Sequence, residues 1–262
     1  MSRYIWFYMQ KNFKNFLQTG SKYKPKSEII QFKKPYNSTI AFYKLMSDLN
    51  LFKKDIKNII DIGTGIGSNL QYFSKREKEI NFLGTDYQSS RISLAKKLNK
   101  NHKIKFKKFN ILESITDFKN KFDGLICIHT LCCFKKIDKV IDNMCGIKPK
   151  WIAINSLFFD GDLDVLIHIR DHKNKKVNDD NPNADFNIFS LAKIEKFFKK
   201  NGYKIIIKKP YFPNKAIKKR GKERGSYTIK TEIHKNTTFS GPVHLPWYFV
   251  IAKKNKWKKK LF

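Results

Sequence analysis

Apolar residues recur along this chain with two different periods. Ile5, Met9, Phe13 and Leu17 repeat at helical spacing within residues 1–20, with Lys11, Lys14 and Asn15 on other faces, and Gly20 ends the segment. A stretch rich in Lys and Pro follows and reads as a linker. Over 39–51, Phe42, Leu45, Met46 and Leu49 form a second helical stripe, so two helices are predicted ahead of the first strand. From Asn58 the pattern changes. A β-branched run at 58–62 precedes a helix at 69–78, a strand at 80–86, a helix at 89–99, strands at 104–109 and 122–128, a helix near 137–145 and a strand at 151–155. Alternating units of this length imply an α/β fold with a mostly parallel sheet and helices on both faces.

After Asn155 the alternation is interrupted by about thirty residues rich in Asp, Asn and His, a length more often functional than incidental. A helix at 191–201 and a strand at 203–208 resume the fold. Between Pro210 and Pro246 lies a second insertion, in which 226–232 and 237–240 are expected to pair as a hairpin, and 247–252 reads as the last strand. The expected organisation is one domain over 1–262. It has a helical cap at 1–57, a core at 58–157, and insertions at 158–189 and 210–246.

The chain has 262 residues, 41% hydrophobic content and 23 Phe, enough for one substantial core. Cys127, Cys132, Cys133 and Cys145 crowd one stretch, unlike a disulfide framework, and read as reduced cytosolic thiols packed in the core. The apolar run from Tyr4 to Met9 is too short for a signal-peptide core, and no stretch has the length of a membrane span, so a cytoplasmic protein is expected. A net charge of +33 invites a nucleic-acid reading. Only six of the 55 basic residues are Arg, however, and the charge is spread along the chain instead of forming one stripe. Lysine excess with abundant Asn, Ile and Phe is also what an AT-rich coding sequence produces.

The strongest motif is Asp61-Ile62-Gly63-Thr64-Gly65-Ile66-Gly67, directly after an apolar strand and before a helix. Glycines let the backbone turn tightly and approach a ligand. Asp86 ends the next strand, where a carboxylate can accept from both hydroxyls of an adenosine ribose. On these residues the chain resembles the class I, Rossmann-like S-adenosylmethionine-dependent methyltransferases over about residues 58–155. The resemblance implies S-adenosylmethionine as cofactor, with Asp61, Gly63, Gly65 and Gly67 beside its methionine part, Asp86 on the ribose, and Asn110 with Ile111 near the adenine. Asn110 departs from the acid often found there. The competing dinucleotide-binding loop is G-x-G-x-x-G, whereas here the third glycine follows the second by two positions.

Methyl transfer is an in-line displacement, so positioning the acceptor supplies much of the acceleration, and a base is needed only for a protonated acceptor. The fourth strand delivers His129 and Thr130 to the sheet edge where such folds bind ligands, and His129 is the first candidate base or acceptor contact because its ordinary pKa lies near neutrality. Packing of His129 against the cofactor is an equal alternative. In the first insertion, His168 and Arg170 are candidates for the acceptor side. His168 and His172 would share a face if helical, with Asp164 or Asp171 as further metal ligands, but no full ligand set is present and no metal is assigned. The second insertion carries Arg220, Arg224, Tyr227, Glu232 and His244 before Trp247 and Tyr248; an aromatic beside these polar groups can line an acceptor pocket, and packing of Trp247 on the sheet edge as a strand residue is the favoured alternative. A small polar metabolite or sugar derivative is the expected acceptor. The alternatives are an RNA or protein methyltransferase, or a non-catalytic cofactor- or nucleic-acid-binding module.

Overall fold

The computed structural model describes residues 26–169, 184–218, 226–240 and 243–255. The predicted helix at 1–20 lies outside them. Two helices, α1 (Lys26–Lys33) and α2 (Asn37–Asp48), precede β1 (Asn58–Ile62). The first occupies the stretch read as a linker. Its eight residues sit between Pro25 and Pro35, a helix-opening and a helix-stopping proline, and the lysines masked that punctuation. In α2 the predicted stripe faces inward, with Phe42 and Met46 fully buried.

The units α3 (Ser68–Ser74), β2 (Asn81–Asp86), α4 (Ser89–Leu98), β3 (Ile104–Lys108), β4 (Gly124–Ile128), α5 (Asp138–Gly146) and β5 (Trp151–Phe159) follow the predicted alternation. Later come β6 (His168–Ile169), β7 (Ala184–Asp185), β8 (Phe189–Ser190), α6 (Leu191–Lys200), β9 (Tyr203–Pro210), β10 (Ser226–Ile229), β11 (Thr237–Ser240), β12 (Val243–His244) and β13 (Trp247–Lys254). The main sheet has the order β3-β2-β1-β4-β5-β13-β9, with β8 added beside β5. β1 to β5 pair in parallel, whereas β13 runs antiparallel to both β5 and β9. A doubly wound dinucleotide sheet in the order 3-2-1-4-5-6 has no reversed strand in that place. The expected hairpin exists, β10 pairing antiparallel with β11, and β12 extends it into a separate small sheet.

Both faces of the main sheet are covered, which is why its central strands read as continuous apolar runs. Successive residues alternate between two cores. Ile60, Leu125, Cys127, Ile152, Ile154 and Val250 face the layer holding α5 and α6, while Ile59, Ile126, Ile128, Ala153, Phe249 and Ile251 face the layer holding α2, α3 and α4. A third, smaller core beyond the strand ends joins Cys132 and Leu157 to Ile188 of the first insertion and Leu245 of the second. The two insertions therefore pack on one another above the carboxyl edge of the sheet. Cys127, Cys132 and Cys145 are buried as expected. Cys133 is exposed, because the 3-10 turn Leu131–Cys133 points one of the adjacent pair outward.

Candidate active site

The strand order reverses between β1 and β4, and the crevice at such a switch point is where open α/β sheets bind ligands. The glycine loop leaves β1 there. Gly63, Gly65 and Gly67 have φ of +77°, +58° and +80°, backbone that L side chains rarely adopt. A Cβ on Gly63 would stand 2.3 Å from the Thr130 side chain, and one on Gly67 would stand 2.6 Å from the Phe106 ring. The loop is pinned from below. The Gly63 and Thr64 amides both donate to the Thr85 carbonyl at 2.8 Å, and the Asn99 side chain donates to the Ile66 carbonyl at 3.1 Å.

Two carboxylates flank the loop. Asp86 is buried, and its oxygens accept from the Gly65 amide at 3.1 Å and the Gln88 amide at 2.9 Å, with the Arg91 guanidinium 3.8 Å away. Asp61 is 1% exposed, and neither of its oxygens makes a hydrogen bond of good geometry, although the Thr64 hydroxyl lies close enough to favour the charged form slightly. Burial pushes its pKa up to about 7, with the charge of Asp86 adding to the rise. A buried carboxylate without donors beside a backbone that admits no side chains fits a ligand bearing an ammonium group.

Asn110 follows β3. Its side-chain carbonyl accepts from the Leu112 amide at 3.1 Å, so its NH2 end is the one suited to a ligand acceptor such as a ring nitrogen. Ile111 follows it, with its side chain 3% exposed within the core on the α5 side and its carbonyl accepting from Asn143, which leaves its backbone amide as the group proposed for the adenine. The neighbouring apolar side chains that remain at the surface are Leu112 and Tyr87, directly after Asn110–Ile111 and Asp86.

His129 ends β4 with φ +56°, a strained conformation for a non-glycine residue. Its amide donates to the Asn155 carbonyl at 2.7 Å, and its Nε2 lies 3.1 Å from the Asn155 side-chain nitrogen and 3.5 Å from the Ser38 hydroxyl. The Trp247 ring is tilted against the imidazole at 4.6 Å, and Tyr36 lies at 6.1 Å on the cap side. Burial lowers the His129 pKa to about 4. The ordinary pKa that recommended His129 from sequence is therefore lost, and the ring stands neutral as a hydrogen-bonding group. Thr130 donates its hydroxyl to the Gly63 carbonyl at 3.1 Å, joining this end of β4 to the loop.

In the first insertion, His168 lies in the two-residue strand β6, and Arg170, Asp171 and His172, the other residues read from sequence there, fall outside the described residues. Asp164 accepts from the Ser190 amide at 2.8 Å and pairs with Lys193 at 2.9 Å, which makes it an anchor of α6. Among the described residues no group of three His, Cys, Asp or Glu can hold a metal ion. Arg220 and Arg224 likewise lie outside them. Trp247 belongs to β13 as expected, but it is only partly buried and faces His129. Asn155, Ser38, Tyr36 and Trp247 were not assigned to the site from sequence, because their convergence depends on pairing between distant segments.

Residues 60–146 match the family model described as Methyltransferase domain. No curated protein matches the chain in sequence. Among solved structures, the chain is similar to a 1,6-didemethyltoxoflavin-N1-methyltransferase from Burkholderia thailandensis, with 11% identity, 98% of this chain and 92% of that one covered, and a TM-score of 0.55. It is similar to a magnesium protoporphyrin IX methyltransferase from Synechocystis at 10% identity, covering 94% of each chain, with a TM-score of 0.52. A third likeness, to a candidate sarcosine dimethylglycine methyltransferase from Galdieria sulphuraria, has 11% identity and a TM-score of 0.50, covering 66% of this chain and 63% of that one. The match thus spans less than two thirds of that protein. At these identities the likeness is one of fold. Residues 60–146 thus match a methyltransferase domain, and the sheet order and the structural likenesses show the Rossmann-like fold of S-adenosylmethionine-dependent methyltransferases.

Proposed function

We propose that the protein transfers the methyl group of S-adenosylmethionine to a small polar acceptor. The observation that carries this reading is the pair of buried carboxylates astride the glycine loop, one lacking hydrogen-bond donors and the other at the ribose end. Asp61 would meet the ammonium of the cofactor, the loop from Gly63 to Gly67 would lie against its methionine part, Asp86 would accept from the ribose hydroxyls, and Asn110 would address the adenine edge. Bound there, the cofactor supplies a methyl group activated by a positively charged sulfur.

The chain's own contribution is positioning. His129, held neutral by burial and oriented by Asn155 and Ser38, offers the acceptor a hydrogen bond at the edge of β4. His168 and Arg170 remain proposed acceptor-side residues in the first insertion.

The decisive measurement is calorimetric titration of the full chain with S-adenosylmethionine and, separately, with NAD. We expect saturable binding of S-adenosylmethionine only, weakened at least about tenfold by Asp86→Ala, the loss of about 1.4 kcal/mol or more of binding free energy. Binding of NAD alone, or of neither, overturns the proposal.

A further inference from the structure

A cavity of about 700 Å³ lies between the end of β9, the turn joining β10 to β11, and the start of β13. Its size falls in the range of about 300–1,000 Å³ typical of small-molecule sites. Trp247 lines it and also packs on His129, so the cavity and the carboxyl edge of the sheet share a wall. We propose that this cavity is the acceptor site, and that the acceptor is an uncharged planar aromatic or heteroaromatic molecule carrying a ring N–H or hydroxyl. This rests on the methyltransferase reading above.

The lining argues for the shape of the ligand. Tyr211 is braced by Phe249 at 5.1 Å, and Phe212 stacks on His234 at 3.8 Å with 26° between planes, so flat rings already face the space in fixed orientations. The turn that carries His234 is held by side-chain hydrogen bonds. The Thr231 hydroxyl lies 3.2 Å from that of Thr237 and 3.0 Å from the His234 carbonyl. A preset aromatic wall binds a ring with little loss of side-chain entropy.

The lining also argues for its charge. In a chain of net charge +33, the described residues lining the cavity include one lysine, Lys230, and one glutamate, Glu232, whose formal charges cancel. A phosphate-bearing or nucleic-acid substrate calls for a cationic surface, which these residues do not form. A sugar would need several amide or carboxylate partners for its hydroxyls. Among the described residues the lining holds no Asn, Gln or Asp, and Glu232 is its one carboxylate. In the reaction, the ring nitrogen or oxygen forms its bond to the methyl carbon as the carbon–sulfur bond breaks. The sulfonium becomes a neutral thioether, and the acceptor's proton leaves to water.

The test uses the full chain with S-adenosylhomocysteine present and titrates 4-hydroxyquinoline, indole, glucose and oligo-uridylate. At least one ring probe is expected to bind saturably, and to lose tenfold or more in affinity in Trp247→Leu and in Ile233→Trp. Ile233 is 84% exposed, so the larger ring crowds the cavity mouth without disturbing a core. Unchanged S-adenosylhomocysteine affinity shows that the variants are folded. Binding of neither ring, ring binding that both variants leave intact, or preferential binding of glucose or oligo-uridylate overturns the assignment. Failure of S-adenosylmethionine to bind the wild-type chain would instead defeat the methyltransferase reading.

Discussion

At the scale of single residues, the site is built from groups held away from their ordinary states. The Asp61 carboxyl titrates near 7 in the folded protein and near 4 when unfolded. Its folded pKa is the higher, so its contribution to stability is fully present below pH 4 and is lost as pH rises through 7. A cationic ligand reverses that penalty, because it favours the carboxylate. S-adenosylmethionine affinity is therefore expected to rise between about pH 5.5 and 7.5, before the ligand's own ammonium begins to titrate, and Asp61→Asn should flatten the profile while weakening binding. Calorimetry across that range checks both; a profile unchanged by Asp61→Asn would remove Asp61 from the cofactor site. His129 acts in the opposite sense. Its folded pKa, about 4, lies below the ordinary value, so stability falls as pH drops from about 6.5 to 4, and His129→Gln should remove that part of the acid sensitivity. Gly63 tests the loop itself. Alanine there combines φ +77° with a Cβ 2.3 Å from Thr130, and should cost about 2–4 kcal/mol in urea denaturation and abolish cofactor binding.

At the scale of elements, α6 shows how the first insertion is tied to the core. Ser190 caps the helix by accepting from the Lys193 amide at 3.0 Å while donating to the Gly161 carbonyl at 2.6 Å, and Asp164 holds the Ser190 amide. Ser190→Ala should cost about 1–2 kcal/mol by thermal or urea unfolding. S-adenosylmethionine affinity should stay unchanged, since the loop and Asp86 lie on β1 and β2. The elements that were legible in sequence are those whose cause is local. β1 runs over Asn58–Ile62 as its β-branched residues predict, and the hairpin of β10 and β11 forms where expected. The two-residue strands β6, β7, β8 and β12 were not legible, because their only cause is a partner strand elsewhere in the chain. The site divides in the same way. The glycine loop and Asp86 announce themselves through spacing, whereas Ser38 and Asn155 reach His129 from 91 and 26 positions away and carry no local signal. That the Ile111 side chain packs in the core carried no local signal either, because an apolar residue beside a ligand and one in the core look alike in sequence.

At the scale of the whole molecule, a charge of +33 stands against a proposed cofactor site that holds two buried carboxylates, Asp61 and Asp86, with the Arg91 guanidinium 3.8 Å from the second. S-adenosylmethionine carries a net positive charge at neutral pH, from its sulfonium and ammonium against one carboxylate. The distant lysines therefore repel it while Asp61 and Asp86 attract it at close range. Salt screens the first interaction more than the second, because repulsion acting beyond a Debye length of about 10 Å at 0.1 M is removed while contacts inside a buried crevice persist. Raising salt from about 0.05 to 0.5 M should then strengthen S-adenosylmethionine binding slightly, within about threefold, and leave the product S-adenosylhomocysteine, a zwitterion without net charge, nearly unaffected. A polyanion must behave oppositely. If oligonucleotides bind at all, they do so through released counterions, and their affinity should fall by about a hundredfold or more over the same range. Titrating all three ligands across the salt series separates the two roles of the charge. Opposite slopes would mean that the lysines form a background field against which a small-molecule site operates. A steep fall shared by S-adenosylmethionine and oligonucleotide would mean that both occupy the cationic surface, which would overturn the carboxylate-lined cofactor site.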